Sequence, residues 1–120
     1  MTTAIIASLE KLLGGPRDGA LLRYSLGNEW LKAGNPAQAA DCFREAVKRD
    51  ERYSAAWKLL GKALADSGQT DEALAAYEQG IQVANEKGDV QAAKEMAVFV
   101  RRLRKQADEG SPQDPIASAR

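Results

Sequence analysis

Residues 54–87, SAAWKLLGKALADSGQTDEALAAYEQGIQVANEK, decide how this chain is read. Laid under residues 20–53, ALLRYSLGNEWLKAGNPAQAADCFREAVKRDERY, they agree at four positions: Leu26/Leu60, Gly27/Gly61, Gly34/Gly68 and Ala39/Ala73. Four identities in 34 are close to chance, so the placement carries the argument and the count does not. Leu-Gly falls mid-segment, where a small residue lets two helices approach closely. Gly34 and Gly68 stand at helix ends, where glycine suits the left-handed backbone. Ala39 and Ala73 precede an aromatic, Phe43 or Tyr77, by four residues on one helix face. Val47 and Ile81 extend that face. A fixed period of this size marks stacked helical units that bury their faces only against one another.

The phase extends outward in both directions. One period back, Ile5, Ile6, Leu9, Leu12 and Leu13 fall on the inner face of a second helix, equivalent to Ala39, Ala40, Phe43, Ala46 and Val47. One period forward, the signature positions are Gln91, Lys94, Glu95 and Val98, which fail; moved by two residues they become Ala93, Met96, Ala97 and Val100, which fit. A two-residue insertion in the linker 85–89 is inferred. The expected architecture is all-α, about six helices in one stack, ordered half, whole, whole, half repeat. One domain is expected over 1–109: an N-terminal helix at 3–13, repeats at 20–53 and 54–87, and a capping helix at 89–108. Asp18, Asn35, Ser54, Thr70 and Asp89 are the expected helix caps, with Pro36 at a first helical position. Residues 110–120 hold two prolines and little hydrophobicity, and are expected to be disordered.

These residues resemble the tetratricopeptide repeat (TPR), whose pattern runs W-x2-L-G-x2-Y, then A-x3-F, then P. The second segment matches with Trp57-x2-Leu60-Gly61-x2-Leu64 and Ala73-x3-Tyr77. The first matches with Leu26-Gly27-x2-Trp30 and Ala39-x3-Phe43, but carries Arg23 at the first aromatic position. Both lack the closing proline, having Glu51 and Asn85. The resemblance implies a small stand-alone TPR protein whose task is to bind other proteins.

Seventeen basic and seventeen acidic residues leave no net charge, which points to neither nucleic acid nor membrane. No signal peptide and no run of ~20 apolar residues is present, so no membrane association is expected. The single cysteine excludes an internal disulfide and fits a reducing compartment, and a cytoplasmic location is expected. With no histidine to activate Cys42 and none to complete a zinc site, neither a nucleophile–base pair nor a metal site is expected. Ser8 and Lys11 match S-x-x-K without the partner tripeptides of acyl-transfer enzymes. Leu60-Gly61-Lys62 lacks the upstream glycine of a phosphate loop, since Ala56 stands there. The reading is therefore of a non-enzyme that takes no cofactor. Trp30 and Trp57 are assigned to the core by the repeat phase. The dense run at 101–105 has no interleaved aromatic to stack bases, which disfavours RNA binding.

In the TPR family the first helix of each repeat lines a concave groove, at repeat positions 2, 5, 9, 12 and 13. Carried over, these give Leu21, Tyr24, Asn28, Leu31 and Lys32; then Ala55, Lys58, Lys62, Ala65 and Asp66; then, with the shift, Gln91, Lys94, Val98, Arg101 and Arg102. The implied partner site is Leu21, Tyr24, Asn28, Lys32, Lys58, Lys62, Lys94, Val98, Arg101 and Arg102, with Asp66 as its one acid. Such a concave basic surface concentrates its field and matches an extended acidic peptide or a C-terminal carboxylate. The carboxylate clamp that TPR domains use for chaperone tails is not carried over. Of its matching positions, Tyr24, Asn28, Leu59, Gln91 and Glu95, only Asn28 agrees. Self-association, through an end helix that leaves its own stack to cap another copy, is the alternative.

Overall fold

Each helix boundary has a local cause in the computed structural model, which describes residues 2–109. Six α-helices and no strand occur among them: α1 Thr2–Glu10, α2 Ala20–Lys32, α3 Pro36–Arg49, α4 Ser54–Asp66, α5 Thr70–Glu86 and α6 Val90–Glu109. The expectation for 110–120 lies outside the described residues. Asn35 caps α3 by accepting the Gln38 N–H at 3.3 Å, with Pro36 first in the helix. Asp89 serves α6 in the same way, accepting from the Ala92 N–H at 3.1 Å. Gly34 and Gly68 leave their helices at φ +80° and +82°, the left-handed turn that a side chain resists.

Four boundaries differ from expectation. The first helix stops at Glu10, not 13, because Leu12, Leu13 and Gly15 bond to carbonyls three residues back and tighten the chain into turns. Ser54 and Thr70 are not caps but the first helical residues. Tyr53 and Gln69 occupy the cap positions, with no side-chain bond. Asp18 also misses its expected role. Gly19, fully extended, stands at the cap of α2. The Asp18 carboxylate instead accepts the Gly14 N–H at 2.9 Å and both Nε and Nη2 of Arg23 at 2.9 Å. This two-pronged pair explains why Arg23 replaces the aromatic of the first repeat: its guanidinium fastens the α1–α2 turn. The hydrogen bonds from Arg23 and Gly14 hold the Asp18 carboxyl well below the usual carboxylate range.

Packing repeats with the sequence. A Cβ on Gly27 would stand 2.5 Å from Phe43, and one on Gly61 would stand 2.8 Å from the Tyr77 ring. Each Leu-Gly thus admits the aromatic of its own repeat. Phe43 and Leu26 are fully buried, and so is Met96. Met96, from α6, packs against α5, where a Cβ on Gly80 would come within 2.6 Å of its Sδ. That is the contact required by a two-residue displacement of the last helix. Trp57 is half-buried beside the same glycine and donates its indole N–H to the Glu51 carbonyl at 2.8 Å. Successive helices pack in order from α1 to α6. The result is a stack 59 Å long, with a radius of gyration of 16.3 Å against about 13 Å for a compact chain of this size.

Candidate functional site: the face shared by α2, α4 and α6

The curvature of the stack follows from which non-successive helices meet. The backbone of α4 approaches both α2 and α6, whereas the backbones of α3 and α5 stand apart and are bridged by side chains. The inner face is therefore built from α2, α4 and α6, and the outer face opens as a wedge between α3 and α5. That wedge, of about 680 Å³, is floored by Trp57, Leu60 and Leu64. Exposed ion pairs cross it, Arg44 with Glu72 at 3.3 Å and Arg52 with Glu86 at 3.6 Å.

The ten residues expected to contact a partner are distributed unevenly. Leu21 and Val98 are large, apolar and exposed, at 70% and 40%. Tyr24 is half-buried and packs against the core, stacked on Tyr53 at 4.9 Å and edge-on to Phe43 at 5.8 Å. Asn28 is half-buried. Lys32 pairs with Glu29 at 3.2 Å, Lys58 with Glu95 at 2.9 Å and Lys62 with Asp66 at 3.2 Å. Lys94, Arg101 and Arg102 are exposed and have no ion pair among the described residues. The Arg102 guanidinium lies 5.6 Å from the centre of the Phe99 ring.

The expectation of a single acid, Asp66, is thus corrected, because Glu29 and Glu95 also neutralise basic residues of this set. Glu95 lies outside the five repeat positions carried over as groove-lining, but its long side chain reaches Lys58 of α4. Hydrogen bonds from Lys58 and Gln91 hold its carboxyl below the usual range. A net basic character remains and is concentrated on α6. Between the C-terminal halves of α4 and α6 lies a hollow of about 260 Å³, lined among others by Lys62, Asp66, Tyr77, Phe99 and Arg102. Tyr77 is a member of this hollow that sequence reasoning assigned only to the core. The signal was present: its counterpart Phe43 does without the hydroxyl.

Nothing in this arrangement resembles a reaction centre. The Cys42 thiol is half-buried, and burial pushes it up to about 11. No group of three or more metal-ligating side chains occurs among the described residues. No helix among them is long and apolar enough to cross a membrane.

Comparison with known proteins agrees with this geometry. The tetratricopeptide repeat model matches residues 24–89. A TPR repeat-containing protein of Pseudomonas aeruginosa is 48% identical over 99 residues, covering 82% of this chain and 94% of that protein. The solution structure of a Bordetella parapertussis protein, BPP2914, shares 38% identity and superposes with a TM-score of 0.74, covering 90% of this chain and 95% of that one. The TPR domain of Sgt2 from Aspergillus fumigatus, 24% identical, shares the fold with a TM-score of 0.77 over 99% of this chain and 77% of that one. On a family match spanning more than half its length and a relative of nearly equal extent, the chain belongs to the tetratricopeptide repeat family, whose members generally serve protein–protein interaction without catalysis.

Proposed function

We propose that this chain is a non-catalytic interaction module that holds an extended acidic peptide, or the C-terminal end of one, on the face of α2, α4 and α6. The observation that carries the reading is the cluster of exposed cations without ion pairs on α6, Lys94, Arg101 and Arg102, beside exposed Val98. Unpaired cations around an apolar strip attract carboxylates from a distance and leave apolar side chains to fix register. The single cysteine, kept as a poorly ionised thiol, supports placing the module in the reducing cytoplasm.

The test uses Lys94→Glu/Arg101→Glu. Both positions are exposed and lack ion pairs, so the reversal leaves the fold intact. Lys48→Glu on α3 is the outer-face control. A lysate protein retained by wild type and by the control, lost by the groove variant, and recovered as an isolated acidic segment that binds alone would support the reading. Equal retention by all three would sink it.

Self-association is the second reading. Ile5 is 46% exposed on the terminal helix α1, an apolar end that another copy could cover. A mass that rises with concentration in light scattering would favour it.

A further inference from the structure

The hollow between α4 and α6 is lined by three polar groups without partners among the described residues, the Tyr77 hydroxyl, the Arg102 guanidinium and the exposed Gln106 amide, of which the first two carry the argument. The Tyr77 side chain lines it, only 2% of the residue is exposed, and its hydroxyl has no hydrogen-bond partner among the described residues. Burial, with a smaller push from the Asp66 carboxylate, raises that phenol further above its ordinary range, to about 12, and it stands as a neutral donor at physiological pH as a phenol does. A buried hydroxyl left unpaired costs stability, and native proteins rarely carry one without a reason. The second group is the Arg102 guanidinium, which rests over Phe99 and pairs with no carboxylate among the described residues. The other two charges in the hollow satisfy each other, Lys62 with Asp66 at 3.2 Å. The hollow therefore presents one spare cation and one buried spare donor over an aromatic floor, since Tyr77 and Phe99 stack at 5.5 Å and 10°.

We propose that this hollow seats an aspartate or glutamate side chain of a partner peptide, its carboxylate accepting from the Tyr77 hydroxyl and pairing with Arg102. The proposal rests on the groove reading above and deepens it to one subsite. Charge complementarity selects the carboxylate, and the open end of the hollow selects a side chain over a chain terminus. α4 stops at Asp66, equivalent to Arg102, while α6 continues to Glu109. The peptide backbone can thus run past the hollow without meeting a wall.

The test begins with a random twelve-residue peptide library displayed on phage, fused at its C-termini, selected on the full chain. Selected sequences are synthesised as fluorescein-labelled C-terminal amides and measured by fluorescence anisotropy. The expected result is a shared Asp or Glu. Tyr77→Phe weakens binding about tenfold, in line with a hydrogen bond to a charged acceptor. Its thermal midpoint equals or exceeds that of wild type, because the hydroxyl it removes has no partner in the unliganded fold. Changing the shared acid to Ala, which removes the acceptor, erases the difference between wild type and Tyr77→Phe and the difference between wild type and Arg102→Gln.

Equal affinity of wild type and Tyr77→Phe overturns the subsite, as do selected peptides that share no Asp or Glu. In either case the groove reading survives if Lys94→Glu/Arg101→Glu still loses the peptides. A library that yields only peptides indifferent to that double variant overturns both. A drop in the stability of unliganded Tyr77→Phe would show the hydroxyl already bonded within the protein, which also refutes the subsite.

Discussion

Truncating Met96 to alanine tests the placement of the last helix, on which four of the proposed contacts, Lys94, Val98, Arg101 and Arg102, depend. Met96 is fully buried, and it packs among Tyr77, Ala84, Ala93 and Val100 with its sulfur against Gly80. Loss of a buried methionine side chain costs about 2–5 kcal/mol, and the value depends on how far neighbours can collapse into the gap. Here three of the neighbours are Gly80, Ala84 and Ala93, which have no side-chain length with which to refill it. The expected loss is therefore in the upper part of that range, about 3–5 kcal/mol. With a urea dependence of about 1–3 kcal/mol per molar for a domain of this size, the midpoint falls by at least about 1 M. Val98→Ala, at an exposed position two residues on, stays within about 0.5 kcal/mol of wild type. Both are read from urea unfolding followed by far-UV circular dichroism. A strict repeat phase would place Met96 in the groove and reverse the ranking. Two variants that unfold together, or a Val98→Ala that unfolds first, would refute the argument.

Two further outcomes follow from the ionisable groups. The Asp18 carboxyl titrates lower in the fold than in the unfolded chain, where its value is 3.8. Its contribution is complete above that value and is lost as pH falls through the folded value. The melting temperature of wild type thus falls below about pH 4, and Asp18→Asn, lower at neutral pH, shows a flatter acid limb. Cys42, with its thiol near 11, has roughly one thiolate in a thousand at pH 8. Its reaction with an aromatic disulfide reagent is slow in the native protein and fast in denaturant, and equal rates in the two states would contradict its burial.

The features legible in the sequence are those that depend on residue size at a fixed spacing. Leu26-Gly27 with Phe43 and Leu60-Gly61 with Tyr77 are steric matches, and they were visible because a glycine under an aromatic has no substitute of another shape. The displaced phase of α6 was legible for the same reason, through Met96 and Ala97. Caps were less so. Asn35 could be read because proline followed it, but Ser54 and Thr70 are equally content inside a first turn, and the linker geometry, not the side chain, sets where those helices begin. The electrostatics of the site was least legible. Repeat position fixes where a Cβ points but not how far a glutamate reaches, so the Lys58–Glu95 pair, 37 residues apart, was hidden. Asp18–Arg23 was hidden because it follows from an irregular turn with no counterpart in the second repeat.

The wedge between α3 and α5 gives the stack a mechanical asymmetry. Its inner side is closed by atoms in contact, which resist compression at any ionic strength. Its outer side is tied across by Arg44–Glu72 and Arg52–Glu86, exposed pairs that act as tethers and slacken as salt screens them. The molecule is a frame with a stiff spine and soft straps: slackening the straps frees the outer side, while the contacts of α4 with α2 and α6 hold the inner side at its width. Salt is thus expected to loosen the outer side of the stack before the inner one.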